Sequence, residues 1–122
     1  MTDYSKMSDF EVNKRVFKEL TGHKPLGYPH HADGRSVGNP SNGEYLWYDY
    51  CNDPADAWPI IVKHGISLTH DYGEWESEAC LDLPVGAHGT DELCSVGGID
   101  KNPLRAAMIA FLLLKESEQC SS

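Results

Sequence analysis

The side chains able to do chemistry here are clustered histidines, cysteines, grouped carboxylates and two cations at a helix start. His30, His31 and Asp33 lie close together, but a metal site needs three or four convergent ligands, commonly at His-x-x-x-His spacing. That spacing is missing, so they read as polar loop residues. Cys51, Cys80, Cys94 and Cys120 form no Cys-x-x-Cys pair. Zinc-knuckle and dithiol chemistry are therefore not indicated, and the thiols read as small apolar groups. A Gly-x-Ser-x-Gly elbow is also missing. Glu74, Glu76 and Glu78 alternate with Trp75, Ser77 and Ala79, which on a strand puts all three carboxylates on one wet face. A glycosidase pair would need one carboxyl shielded. The pattern assigns no catalytic residue, metal or cofactor.

The helix start is more informative. In Asp100-Lys101-Asn102-Pro103-Leu104-Arg105 the Asn-Pro pair reads as N-cap and N1. Free N–H groups and the positive dipole end gather there. Lys101 and Arg105 oppose that dipole, so they need an anion. Asp100 or a distant carboxylate such as Asp56 could supply it, and so could a ligand phosphate. Trp58 and Tyr48 could stack on a base or ribose, or fill the core. Lys101, Asn102 and Arg105 could hold phosphate, with Asp56 on Arg105 or on a ribose hydroxyl. These six are the candidate ligand-binding residues.

Positioning them requires a folded domain. The 122 residues suit one domain spanning 1–122. A hydrophobic content of 40% with 24% charged residues is ordinary globular usage. Ten basic residues against nineteen acidic ones give a net charge of −9, which argues against general nucleic-acid binding. No apolar run is long enough to span a membrane and residues 1–9 have no signal-peptide core, so a cytoplasmic location is expected.

The predicted elements begin with a helix over Asp9–Leu20. Ser8 and Glu11 make a capping box, Phe10, Val16, Phe17 and Leu20 form its core face, and Gly22 stops it. Residues 23–43 read as a long Gly- and Pro-rich loop with a short strand near Ser36. Glu44–Tyr50 reads as a strand, with Tyr45, Trp47 and Asp49 on one face and Leu46, Tyr48 and Tyr50 on the other. Asp53-Pro54 opens a second helix, which Pro59 should kink or restart and Gly65 should end. Ile66–His70 and Trp75–Leu81 read as a hairpin turning at Tyr72-Gly73. Residues 82–98 form a second long Gly-rich loop, with a short strand near Leu93–Val96. The last helix runs from Asn102 to about Lys115, apolar nearly all round, before a frayed tail at 117–122. The expected class is α+β, a small antiparallel sheet with about three helices packed on it.

Three segments carry a family resemblance. They are Tyr4-Ser5-Lys6-Met7-Ser8-Asp9-Phe10-Glu11-Val12-Asn13-Lys14; Asn52-Asp53-Pro54-Ala55-Asp56-Ala57-Trp58-Pro59-Ile60-Ile61 followed by Gly65-Ile66-Ser67-Leu68; and Lys101-Asn102-Pro103-Leu104-Arg105-Ala106-Ala107-Met108-Ile109. They resemble the ninX-like proteins of tailed phages. The resemblance implies a small accessory protein, in the host cytoplasm, that modifies the encounter with the host. It transfers no catalytic residue.

The expected function is binding of a small nucleotide-like ligand without turnover, sequestering a bacterial immune nucleotide signal, with homo-oligomerisation building the site walls. The alternative is an acidic inhibitor of a host enzyme or defence protein. It rests on residues 64–100, which hold eight Asp or Glu and no Lys or Arg.

Overall fold

The computed structural model describes residues 3–22, 37–41, 44–80 and 95–120. Most of the two long loops, with His30, His31 and Asp33, lies outside them. After a 3-10 turn at Tyr4–Lys6, the order is α1 (Asp9–Thr21), β1 (Val37–Ser41), β2 (Glu44–Tyr48), α2 (Pro54–His64), β3 (Ser67–Asp71), β4 (Glu74–Cys80), β5 (Ser95–Val96), β6 (Ile99–Asp100) and α3 (Pro103–Cys120). This is an α+β fold. Its strands divide into two antiparallel sheets where one was expected: β1 pairs with β2, and β4 takes β3, β5 and β6 as neighbours.

Local chemistry explains the boundaries. Ser8 Oγ accepts from Glu11 N–H at 3.1 Å, and Gly22 ends α1 at φ 78°. Asp53 caps α2 by accepting from Ala55 N–H at 3.0 Å, and Gly65 ends it at φ 61°. Of the kink or restart expected at Pro59, the restart does not occur, and α2 is one helix from Pro54 to His64. Proline removes only the bond to Ala55 C=O, and both residues lie on the exposed side of the helix, away from the core that holds Ala57, Ile60 and Ile61. The β3–β4 hairpin turns on Tyr72 at φ 52° and Gly73 at φ 79°. Both signs are what a two-residue type I′ turn requires.

The sheet around β4 shows the alternation read from sequence. Glu74, Glu76 and Glu78 are exposed while Ser77 and Ala79 are buried against α3. Helix α3 is buried on every side from Arg105 to Leu114, with Phe111 and Met108 the largest fully buried side chains, and it runs beyond the expected end to Cys120. It contacts α1, α2 and β4, so its all-round apolar surface is the domain core. Each such Leu, Met or Phe contributes about 1.5–3 kcal/mol through burial.

Close packing around β4 demands glycine at two positions. Ser77 Oγ donates to Ala106 C=O at 2.6 Å and accepts from Gly98 N–H at 3.0 Å. A Cβ on Gly97 would stand 1.8 Å from Ser77 O, and one on Gly98 would stand 2.6 Å from Ile109 Cγ2.

Candidate functional site: an aromatic cleft beside a polar seam

Two regions among the described residues hold four of the six candidates. The first is a seam where the starts of α1 and α3 meet the β2–α2 turn. Arg105 is only 7% exposed. All three of its guanidinium nitrogens are engaged. Nη1 donates to Asp9 Oδ1 at 2.7 Å, and Nε donates to Asp100 Oδ2 at 3.0 Å. Nη2 donates to the carbonyls of Tyr4 and Ser5, each at 3.2 Å, and of Met7. Burial alone would depress the guanidinium pKa. The bond to Asp9 and the charges of Asp9 and Asp100 outweigh it and raise the pKa, so Arg105 stays charged.

Asn102 is equally committed. Its Oδ1 accepts from Leu104 N–H at 2.9 Å and caps α3. Its Nδ2 donates to Cys51 C=O at 2.6 Å and Asn52 Oδ1 at 3.0 Å. Asp100 Oδ1 accepts from Asn102 N–H at 2.9 Å. The anions that answer the cation in this helix turn are therefore Asp100 and Asp9. Lys101, next to the cap, is exposed.

The seam continues through residues that the sequence pattern left unmarked. Asn13 is fully buried; it donates to Asp49 Oδ1 at 2.9 Å and accepts from Cys51 N–H at 3.0 Å. Asn52 Nδ2 donates to the same Asp49 oxygen at 3.1 Å. One signal was available: Asn13 stands on the helical stripe of Phe10, Val16 and Phe17, and a polar residue on a core face must find a partner. Burial pushes the Cys51 thiol well up, so it is an inert core group and a poor nucleophile.

The second region is a cleft of about 300 Å³ between α2, the end of α1 and the Tyr48–Tyr50 segment. Its wall includes Leu20, Tyr48, Tyr50, Ala55, Asp56, Pro59, Ile60, Lys63 and His64. The Tyr48 and Tyr50 rings stack, with centroids 5.8 Å apart and planes within 4°. The pair depends on where β2 ends. It stops at Tyr48, short of the expected Tyr50, because Asp49 C=O turns to accept from Asp53 N–H at 2.8 Å. Asp49, expected on the face of Trp47, is therefore 8% exposed, while Trp47 is 37% exposed.

Asp56 lies on the cleft wall and does not meet Arg105. Its Oδ2 accepts from Asp49 N–H at 2.9 Å. Burial raises its pKa; the Asp49 N–H opposes the shift, and the charges of Asp53 and Asp49 add to it. Burial also pushes the Tyr50 phenol well up. Trp58 does not line the cleft and is 60% exposed. Two residues are more than half a turn of an α-helix, so Trp58 leaves α2 on the flank opposite Asp56. Of the six, Tyr48 and Asp56 share the cleft, Asn102 and Arg105 share the seam, and Lys101 and Trp58 stand outside both.

Fold and site together define a small α+β domain with an internally satisfied polar seam and an open aromatic cleft. Comparison with known families goes further. The family model described as Bacteriophage P22, NinX matches residues 3–115, and the chain belongs to that phage family. A comparison with curated proteins finds no match. No helix among the described residues is long and apolar enough to cross a membrane.

Proposed function

We propose that this phage protein binds a small nucleotide-like ligand in the Tyr48–Asp56 cleft and holds it without turnover, thereby sequestering a bacterial immune nucleotide signal. The observation that carries the reading is the cleft's composition: two stacked tyrosines, a carboxylate pinned by a backbone N–H, and a lysine around one space. The cleft's volume, near 300 Å³, suits one nucleoside-sized group. It sits at the small end of ligand sites, which run from about 300 to 1,000 Å³. Tyrosine rings offer a stacking face that tolerates any base. Asp56 accepts from a ribose hydroxyl or a base N–H.

Lys63 takes the phosphate in this reading, because Arg105 and Asn102 have already satisfied their polar atoms within the protein. Retention without turnover fits a wall whose hydroxyls are phenols, whose carboxylate is already hydrogen-bonded and whose His64 ring packs on Phe111 at 5.1 Å. The test is thermal denaturation against a panel of mononucleotides and cyclic dinucleotides. The expected result is a melting temperature that rises with the concentration of one of them, with intact nucleotide recovered after heating. The rise should shrink in Tyr48→Ala and Lys63→Ala. Recovery of altered nucleotide would instead make the protein an enzyme, and no shift with any of them would sink the reading.

One observation favours the alternative, an acidic inhibitor of a host protein. Glu74, Glu76 and Glu78 are exposed in a row on β4, and Asp71 pairs with Glu74. Such a strip is complementary to a basic surface. Capture of a host protein that weakens with salt and is lost on replacing the three glutamates by glutamine would support this reading over the first.

A further inference from the structure

Helix α2 is apolar on two sides. Ala57, Ile60 and Ile61 are buried in the core. Ala55, Trp58, Pro59 and Val62 form a second stripe on the opposite face, at the i, i+3, i+4, i+7 spacing of a helix seam. Trp58 is 60% and Val62 61% exposed. Large apolar side chains at seam spacing on an outer face mark an interaction surface.

We propose that this stripe is the interface of a two-fold homodimer in which α2 of one copy packs antiparallel against α2 of the other. The stripe is complementary to itself. Pro59 lies at the middle of the helix, so a two-fold axis beside it sets Trp58 of each copy against Pro59 of the other. The same axis sets the small Ala55 against Val62, filling the seam at both ends. Charge agrees with this pairing. Asp56 near the start of α2 and Lys63 near its end lie on the same flank of the stripe. The antiparallel arrangement brings Asp56 of each copy toward Lys63 of its partner, twice, with the helix dipoles opposed. A net charge of −9 opposes self-association in general, so neutral seam residues flanked by these crossed pairs are the surface where two copies can meet.

Ala55, Pro59, Asp56 and Lys63 also line the cleft, so the partner covers its rim and brings a second lysine to its mouth. Asp56 and Lys63 serve both the crossed pairs and the proposed ligand site, so the dimer is tested on nucleotide-free protein, where its formation does not depend on what the cleft binds. Four side chains per copy are far fewer than the roughly 20–30 residues per side of a stable standard interface. The dimer is therefore concentration-dependent.

Light scattering and sedimentation across low-micromolar to near-millimolar protein test it. The mass should climb from the 13.6 kDa of one chain toward twice that value as concentration rises. Trp58→Ser and Val62→Glu should each hold the mass at one chain while melting like the wild type at dilutions where the wild type is one chain, because neither side chain is in the core. Lys63→Glu should weaken the dimer. A wild-type mass that stays at one chain throughout, a dimer unaffected by Trp58→Ser and Val62→Glu, or growth beyond two copies would each overturn the proposal.

Discussion

Arg105 Nη1 donates to Asp9 Oδ1 at 2.7 Å and so locks the first turn of α3 to the first turn of α1, 96 residues away in the chain. The same guanidinium collects three carbonyls of the Tyr4–Met7 segment, so one side chain fastens the N-terminus to the core helix.

Removing the guanidinium takes a donor from two carboxylates and three carbonyls, although Asp9 keeps Asn52 Nδ2 and Asp100 keeps Asn102 N–H. Breaking a buried pair from one side costs about 3–5 kcal/mol, and partial exposure of Asp9 and Asp100 places Arg105→Ala near the lower figure. Arg105→Lys should recover little, since an ammonium cannot reproduce the planar fork. Urea denaturation should show the loss. Nucleotide-induced thermal stabilisation, measured as an increment over each variant's own melting temperature, should persist in Arg105→Ala. Its disappearance would place a phosphate at Arg105 after all.

Asn13 holds the β2–α2 turn. Asn13→Leu keeps the volume but leaves the Cys51 N–H and an Asp49 lone pair unpaired, at about 1–3 kcal/mol for the unsatisfied group. Asn13→Asp is the sharper test. It keeps the acceptor for Cys51 N–H but sets a carboxylate against Asp49, and two adjacent carboxylates cannot both ionise cheaply. That variant should be much less stable than wild type near neutral pH and regain stability on mild acidification, as the pair takes up one proton. Equal loss at both pH values would deny that the pair is buried and coupled.

The helices were legible because their signals are local. Ser8, Asp53, Gly22 and Gly65 mark ends through hydrogen bonds and φ angles that need only near neighbours. The alternation of Glu74, Glu76 and Glu78 likewise told which face of β4 meets water. The site depends on residues far apart in the chain. Whether Asp56, Asp100 or a ligand neutralises Arg105 depends on where α1 lies, and Asp9 is not near Arg105 in sequence. Alternation already put Tyr48 and Tyr50 on one face, and their rings do stack; what it missed is where the strand ends. Simple alternation carries β2 through Tyr50, whereas the turn in which Asp49 C=O accepts from Asp53 N–H ends the strand at Tyr48. Pro59 does not restart α2 because it removes a single bond of the ladder, the one to Ala55 C=O, from an 11-residue helix.

Tyr72 gives a test of the hairpin. It sits at φ 52° and is 96% exposed, so it bears a left-handed backbone without recovering burial. Asn tolerates that conformation far better, and Asn-Gly is the preferred type I′ pair. Tyr72→Asn should therefore stabilise the domain by up to about 1 kcal/mol. Tyr72→Val, β-branched at positive φ, should destabilise it. A chemical-denaturation series ranking Asn above Tyr above Val would verify the turn, and a flat series would mean that it is not the limiting geometry.

Asp56 makes stability depend on pH in a defined direction. Its pKa is raised above the ordinary aspartate value of 3.8, so the folded protein binds this proton more tightly than the unfolded chain does. Stability from this group is therefore fullest below that value and is lost as pH rises through the raised one. The hydrogen bond from Asp49 N–H favours the ionised form, but burial and the charges of Asp53 and Asp49 outweigh it. Asp56→Asn cannot ionise yet retains an oxygen for the Asp49 N–H. Its stability relative to wild type should grow as pH climbs from about 4 and level off above the raised pKa. A ligand whose hydroxyl or N–H donates to the ionised carboxylate would act the other way, binding wild type better as pH rises and Asp56→Asn equally at every pH. Denaturation curves at closely spaced pH, with and without nucleotide, separate the two effects. A stability difference that stays constant across the range would mean that Asp56 is as well solvated in the folded protein as in the unfolded chain.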